Sequence, residues 1–527
     1  LTAGAPPCLT RRFGKEDGRQ GNDGMTGWIR RFALGAAALV LAFAAAMPAR
    51  AETIARVAIS QLPPALGNPH RATNAPITFT LSAMFDPLTL LTADGRVVPW
   101  LAERWEALSP TVWRFHLRPN VKFSNGERLT ARAVVDAFAY LASPEGRGDS
   151  VARELSSVKA ARAIDDLTVE IETAVPNPML HREVATLRIV APDAWAKLGP
   201  EGFARAPIGT GPFAVESWTP GKIVLKAFKD SWRKPQVDRL EILAIPETAG
   251  RLQALLSGQV DIAMGLGPEL RPTIEAGGGK LQSGNRGVVY VIGFQTMKGG
   301  PLADARVRQA LNYAVDKQRL VDTFLDGAVK VASQGAVSTA FGFNPAIKPY
   351  PYDPAKAKAL LKEAGYEKGF AATLEATIDW NPNDGAILQQ TAADLAAVGV
   401  RVDIRPITVP DLMTKTQQGT WAHEMFATSY NNSPPLEALR PLRFHSCMAP
   451  QPWFCDARIQ PKIDAAYATG DLAERERLSH EIAKFYHDEA ASLFLHEVAE
   501  FNGLGRTVKS FRNENGWVLY ETIALSK

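Results

Sequence analysis

LAERWEALSPTVWRFHLRPNVKFSNGERLTARAVVDAF, residues 101–138, is the stretch whose reading decides the fold. At its centre Val112, Arg114 and His116 alternate with Trp113, Phe115 and Leu117. That period of two is the mark of a strand with one face buried. Asn125-Gly126 follows as a turn. Thr130 then stands where a helix over residues 131–141 calls for a side-chain cap. Ahead of the strand, residues 100–105 (WLAERW) read as a short helical turn.

Upstream, residues 54–59 alternate as a strand, and Pro63, Pro64, Gly67 and Pro69 make an irregular turn. Residues 76–91 then read as a helix closed by Asp86-Pro87. Downstream lies Pro207-Ile208-Gly209-Thr210-Gly211-Pro212-Phe213. Here Gly209 and Gly211 are expected to supply positive φ, and Pro212 to fix the exit into a strand over residues 213–218. No Gly-Lys-Ser/Thr accompanies these glycines, so they are not a phosphate loop. Strand 238–245, helix 247–257 and the returning strand in Gly258-Gln259-Val260-Asp261-Ile262-Ala263 come next. After the Gly277-Gly278-Gly279 break, strand 288–295 leads to a helix carrying Val307, Ala310, Leu311 and Ala314 at core spacing. Helix 354–364, strand 373–378, helix 384–398, strand 400–407, helix 472–488 and strands at 490–501 and 518–520 complete the chain. Alternation of this kind predicts an α/β fold with a mostly parallel sheet.

In number and order these segments resemble the bacterial extracellular solute-binding proteins of family 5, over roughly all of residues 52–527. The resemblance is carried by residues 101–138, by the turn Gly209-Thr210-Gly211-Pro212-Phe213 and by the block ending Asp261-Ile262-Ala263. It continues in Val307-Arg308-Gln309-Ala310-Leu311-Asn312-Tyr313-Ala314-Val315-Asp316. One departure is Ala133, where the family carries an acidic residue near the helix start. The resemblance implies the α/β two-lobed periplasmic-binding-protein fold of type II, large cluster, with two crossovers at a hinge. It divides the chain into lobe I (52–80, 205–284 and 495–527), a subdomain inserted in that lobe (81–204) and lobe II (285–494). It also implies a carrier that closes around a small solute and passes it to an inner-membrane ABC permease, acting as a monomer with no cofactor.

The N-terminus points to export. Residues 1–24 show no periodic pattern, and Met25 is read as the true start. Arg30-Arg31 precede the uncharged run 32–47, and Ala49-Arg50-Ala51 offer a peptidase site, so cleavage is expected before Glu52. The run is short for a membrane span of about 20 residues. No cysteine follows it, so a periplasmic protein rather than a lipoprotein is expected. The leader takes seven basic and three acidic residues from totals of 59 and 55, leaving 52 of each. A mature chain of zero net charge gives nucleic acid no foothold. Cys8 goes with the leader, and Cys447 and Cys455 remain. Export favours a disulfide between them, worth about 2.5 kcal/mol for so short a loop. The other reading is a metal site of His445, Cys447 and Cys455, although this spacing matches no common zinc pattern.

In residues 425–455 (MFATSYNNSPPLEALRPLRFHSCMAPQPWFC) an apolar strand ends in Tyr430-Asn431-Asn432-Ser433, and Pro434-Pro435 stop it. Peptide binders of the family hold the ligand's amino terminus with an Asp of a Trp-x-Gly-Asp segment, for which this chain has Tyr430-Asn431-Asn432-Ser433. Dipeptide binders add an Arg two residues before an aromatic-Asn-Pro-Asn segment. Trp380-Asn381-Pro382-Asn383 matches that segment, with Ile378 at the Arg position. The resemblance therefore places ligand contacts at Tyr430, Asn431, Asn432, Ser433, Trp380 and Asn381, with both charged clamps missing. Either Glu437, Arg440 or Asp379 meets the ligand's charges, or the ligand is polar but no dipeptide: an opine, a sugar conjugate, a longer peptide or a modified amino acid. Asn431-Asn432-Ser433 is also good turn chemistry, Tyr430 and Trp380 can pack rather than stack on a ligand, and Trp453 reads as a loop anchor. A carrier of a metal complex or haem, or a periplasmic sensor, are the other roles open. No His-Glu-x-x-His or Gly-x-Ser-x-Gly occurs, so an enzyme is not expected. His480 and His487, two turns apart, read as a solvated helix face.

Overall fold

The computed structural model describes residues 52–75, 77–378 and 380–526. The leader, its cleavage site and Asp379 lie outside the described residues. In chain order the first strands are β1 (Ile54–Ile59), β2 (Thr89–Leu91), β3 (Val97–Pro99), β4 (Ala102–Ser109), β5 (Val112–Leu117), β6 (Val158–Asp165) and β7 (Thr168–Thr173). Then come β8 (Phe213–Thr219), β9 (Lys222–Ala227), β10 (Arg239–Ala244), β11 (Ile262–Met264) and β12 (Lys280–Phe294). β13 (Phe370–Ala376), β14 (Val400–Pro406), β15 (Met425–Asn431) and β16 (Ser492–Leu504) follow, ahead of four short strands between Val508 and Leu525.

β5 has the face predicted for it, with Trp113, Phe115 and Leu117 buried. It is the second strand of a four-stranded antiparallel sheet ordered β4-β5-β7-β6. The helical turn expected at residues 100–105 is not there. Arg104 and Trp105 instead face His116 and Phe115 across the β4/β5 pair, because the open edge of β5 outweighs a weak local preference. Helix Ala131–Ala142 lays Val134, Phe138 and Leu141 into the core, and Thr130 sits at its N-cap without a side-chain capping bond.

The long helix expected over residues 76–91 shrinks to Ile77–Leu81. The chain turns inward there because Asp86 is a buried hub. Its carboxylate accepts hydrogen bonds from Trp100 Nε1 and Thr210 Oγ1, both at 2.7 Å, and from Trp232 Nε1 at 3.1 Å. It also pairs with Arg233 at 2.9 Å, which in turn pairs with Glu521 at 2.8 Å. Gly209 and Gly211 serve this hub differently from the expectation, since neither has positive φ. A Cβ on Gly209 would lie 2.1 Å from the Met84 carbonyl oxygen, and one on Gly211 2.5 Å from the Met84 carbonyl carbon. The glycines are needed for close approach of two backbones.

The large sheet has ten strands in the order β14-β13-β15-β12-β16-β11-β1-β10-β9-β8. β1 runs parallel to β10 and β11, and β13 runs parallel to β14 and β15. Its other pairs are antiparallel, so the sheet is mixed rather than mostly parallel. The reason is that β8, β9 and β10 form a meander and the two central strands return through the middle. Those strands, β12 and β16, are 15 and 13 residues long. Residues 280–285 of β12 pair with residues 499–504 of β16, on the side of β11 and β1. Beyond a register break between Asn285 and Val289, β12 pairs with both β16 and β15. Each half of the sheet thus belongs to one lobe of an α/β protein, and β12 and β16 are the crossovers. Among the described residues no helix is long and apolar enough to cross a membrane.

Removing the carboxylate in Asp86→Ala takes one of the two carboxylate partners from Arg233 and leaves two indole N–H groups unpaired in the core. Urea unfolding is expected to show a loss of about 3–5 kcal/mol. A loss below about 1 kcal/mol would mean the hub is dispensable.

Candidate functional site

The register break in β12 is a bulge, Asn285-Arg286-Gly287, fixed from both sides. Asn285 Nδ2 donates to Glu497 Oε2 at 2.8 Å, and its Oδ1 accepts from Gly287 N at 2.7 Å. Gly287 has φ +70°, and a Cβ there would meet Leu436 Cδ2 at 2.6 Å. Asn432 N donates to the Gly287 carbonyl at 2.9 Å. Bulges commonly re-aim a side chain, and this one turns Arg286 into a cleft.

Two cavities meet at Arg286. The larger, of about 790 Å³, is bounded by Gln61, Phe79 and Glu269 on one side and by Ile378, Trp380 and Asn381 on the other. The smaller, of about 150 Å³, reaches Arg188, Asn431, Ser433 and Trp517. Asn74, Ala75, Arg286 and Glu500 line both. Glu500 is buried on β16, where its Oε1 accepts from Asn502 Nδ2 at 2.8 Å and Asn513 Nδ2 at 3.1 Å. Burial raises its carboxyl above the ordinary range, opposed by the bond from Asn502 and the charge of Arg286. Arg188 is pushed down to about 10 by burial. It donates to the Pro69 and Ala72 carbonyls and lies 5.6 Å over the Trp517 ring. Asn383 Nδ2 reaches across the larger cavity to Glu269 Oε2 at 3.2 Å.

The residues expected at the site divide. Trp380, 43% exposed, and Asn381 line the larger cavity, and Asn431 and Ser433 line the smaller. Tyr430 and Asn432 do not reach the cleft, which corrects the expectation for both. Successive residues of a strand point to opposite faces. Tyr430 is turned into the core, stacked on His445 at 4.3 Å. Asn432 is 0% exposed. Its Oδ1 accepts from Val337 N at 2.9 Å, and its Nδ2 donates to the carbonyls of Gly335 and Glu437 at 3.2 Å.

Of the side chains expected to answer a ligand's charge, Glu437 and Arg440 are already paired. Glu437 binds Arg475 at 2.6 Å and Arg440 binds Glu154 at 2.6 Å. Both line a third cavity of about 300 Å³. Cys447 and Cys455 form a disulfide, so the metal reading with His445 falls. His445 is buried against Tyr430, and burial lowers its pKa to about 4. The bridged loop lines neither cleft cavity through its cysteines. It seats Trp453 against Phe426 and His445, as a loop anchor. His480 and His487 are half-buried and bond the carbonyls of Phe343 and Ser333, so they are not a solvated face. Arg286 and Glu500 were missed. Their signal in the sequence is a polar Asn-Arg-Gly break ahead of an apolar strand and two glutamates, Glu497 and Glu500, inside another.

Residues 96–449 match the family described as bacterial extracellular solute-binding proteins, family 5 Middle. The dipeptide-binding protein of Escherichia coli (strain K12) is 29% identical over 453 residues, spanning 79% of this chain and 83% of that protein. The nickel-binding periplasmic protein of the same organism is 28% identical over 509 residues, spanning 89% and 93%. The structure of HbpA2 from Haemophilus parasuis superposes with a TM-score of 0.77 at 24% identity, covering 90% of this chain and 100% of that one.

Asn432→Ala is expected to lower the stability of the empty protein by about 3 kcal/mol, since it orphans buried backbone groups. An unchanged melting temperature would put Asn432 back among the ligand contacts. A pH effect is expected from Glu183, which lines the third cavity. Asn177 Nδ2 donates to it at 2.7 Å, yet burial lifts its carboxyl from 4.5 to about 7. Folding therefore takes up a proton between those values. The resulting stabilisation is complete below the lower one and is lost as pH rises through the upper. The melting-temperature advantage of wild type over Glu183→Gln should shrink from pH 5 to pH 8, and a constant difference would contradict it.

Proposed function

The chain belongs to the bacterial extracellular solute-binding proteins, family 5, and from that premise we propose that it is the periplasmic solute-binding component of an ABC importer. It holds a peptide-like, opine-like or other small polar solute between its lobes and presents it to an inner-membrane permease. The observation that carries this reading is the position of the cavities. They are walled by both lobes and floored by the two crossover strands, with Arg286 and Glu500 on the floor. A solute bridging the walls therefore favours closure about that floor.

Under this reading the leader directs export and is cleaved before Glu52, and the mature protein works as a monomer without catalysis. Lobe I comprises residues 52–80, 205–284 and 495–527, the inserted subdomain 81–204 and lobe II 285–494. The sheet order supports that division, since the pairing changes sides at residues 285–289. Trp380 and Asn381 contact the solute from one segment of lobe II and Asn431 and Ser433 from another. A relative named for dipeptides and one named for nickel are about equally similar, so the solute's chemistry is set by the residues of the cleft.

Thermal denaturation of the mature protein with peptides, opines and metal chelates tests the carrier reading. A true solute at a hundred times its dissociation constant adds about 2.7 kcal/mol and raises the melting temperature by several degrees. Small-angle scattering should show the same solute making the molecule more compact. Turnover of a compound that neither stabilises nor compacts the protein would sink the reading.

A further inference from the structure

The cationic side chains around the cleft other than Arg286 are held by carbonyls or a carboxylate, although Arg188 keeps a buried Nε without a partner. Arg251 donates to the carbonyls of Ile245, Pro246, Met264 and Gly265. Arg188 is held by two carbonyls and Arg440 by Glu154. Arg286 makes one long hydrogen bond, from Nη1 to Asn381 Oδ1 at 3.4 Å, and no described carboxylate lies within ion-pair distance of it. A guanidinium carries five N–H donors in a rigid fork. Holding it half-buried with one weak contact is costly unless something in the cleft completes its bonds.

The placement is also fixed in advance. Asn285 and Gly287 flank Arg286 and are tied to Glu497, to the main chain of Asn432 and against Leu436. The side chain thus projects from a clamped bulge at the junction of the two cavities, with little ordering left for a ligand to impose. Glu500 shares this wall. Its Oε1 is taken up by Asn502 and Asn513, so it leaves the guanidinium free while adding a negative pole beside it.

Resting on the carrier reading above, we propose that Arg286 is the anion anchor of the cleft and that the solute presents a carboxylate to it. Planar, bidentate pairing suits a carboxylate to a single guanidinium. The body of the solute then extends along Trp380 and Asn381 in the larger cavity. A peptide's C-terminus and the carboxylate of a non-peptide conjugate offer the same chemistry, so the test must separate them.

Affinity-selection mass spectrometry can do so. The probes are tri- to pentapeptides, each as free acid and as C-terminal amide, together with octopine as a carboxylate outside any peptide. Wild type should retain free acids, or octopine, about 10- to 100-fold better than the amides. Retained free acids assign the anchor to a peptide terminus, and retained octopine without peptides assigns it to a non-peptide carboxylate. Arg286→Gln should lose the preference while the empty protein melts within about 2 °C of wild type. If that variant folds poorly, Arg286→Lys should keep the preference for acids but weaken it. Equal retention of acids and amides by wild type, or an undiminished preference in Arg286→Gln, overturns the anchor and leaves the carrier reading standing. Retention of no probe at all counts against both.

Discussion

β12 and β16 lie side by side through the middle of the sheet, and among the described residues their backbone ladder joins the two halves. The cleft is built around the first of that ladder's two register shifts, between Asn285 and Val289. Above the break β12 serves β15, and below it β16 serves β11. A continuous ladder would be stiff, and two unpaired linkers would leave the lobes unoriented. A bulge between two ladders gives a defined axis, because the β12–β16 pairing lapses there. It also puts Arg286 on that axis, so one local irregularity both hinges the molecule and places a charge in its cleft.

The surrounding lobes hold their shape through buried polar hubs as much as through apolar packing. Asp86 gathers Trp100, Thr210, Trp232 and Arg233 from separate segments. Asn432 ties together three stretches of main chain. Each such group is stabilising only while fully bonded, since a buried orphan costs more than a bond gains. The contrast with Arg286 is what marks it. Asp86 and Asn432 have their bonds made within the fold, whereas the Arg286 guanidinium at the cleft floor makes a single long one.

Much of the fold was legible because it is local. β5 showed its buried face as alternation, and the helix of Val307, Ala310, Leu311 and Ala314 showed its core stripe. Errors arose where a partner distant in sequence decided the outcome. Residues 102–105 become part of β4 only because β5 offers an edge, and the mixed sheet follows from long strands returning between the lobes. Trp380, Asn381, Asn431 and Ser433, singled out by their motifs, line the cleft cavities. Tyr430 and Asn432 come from the same motif and face the core, because strand pleating sends neighbours to opposite sides. Arg286 and Glu500 belong to no motif, and their importance lies in where two strands cross.

The sequence by itself determined the class of the molecule. Period-two and helical spacing were enough for an α/β fold, because those patterns report short-range geometry and burial, and the two-lobed solute-binding architecture came from the resemblance of residues 101–138, the turn at residues 207–213 and the order of the segments to a known family. The tertiary structure alone decided which side chains are free to meet a solute. That depends on whether each donor and acceptor already has a partner, and the partners of Glu437, Arg440 and Asn432 lie on segments that only folding brings beside them.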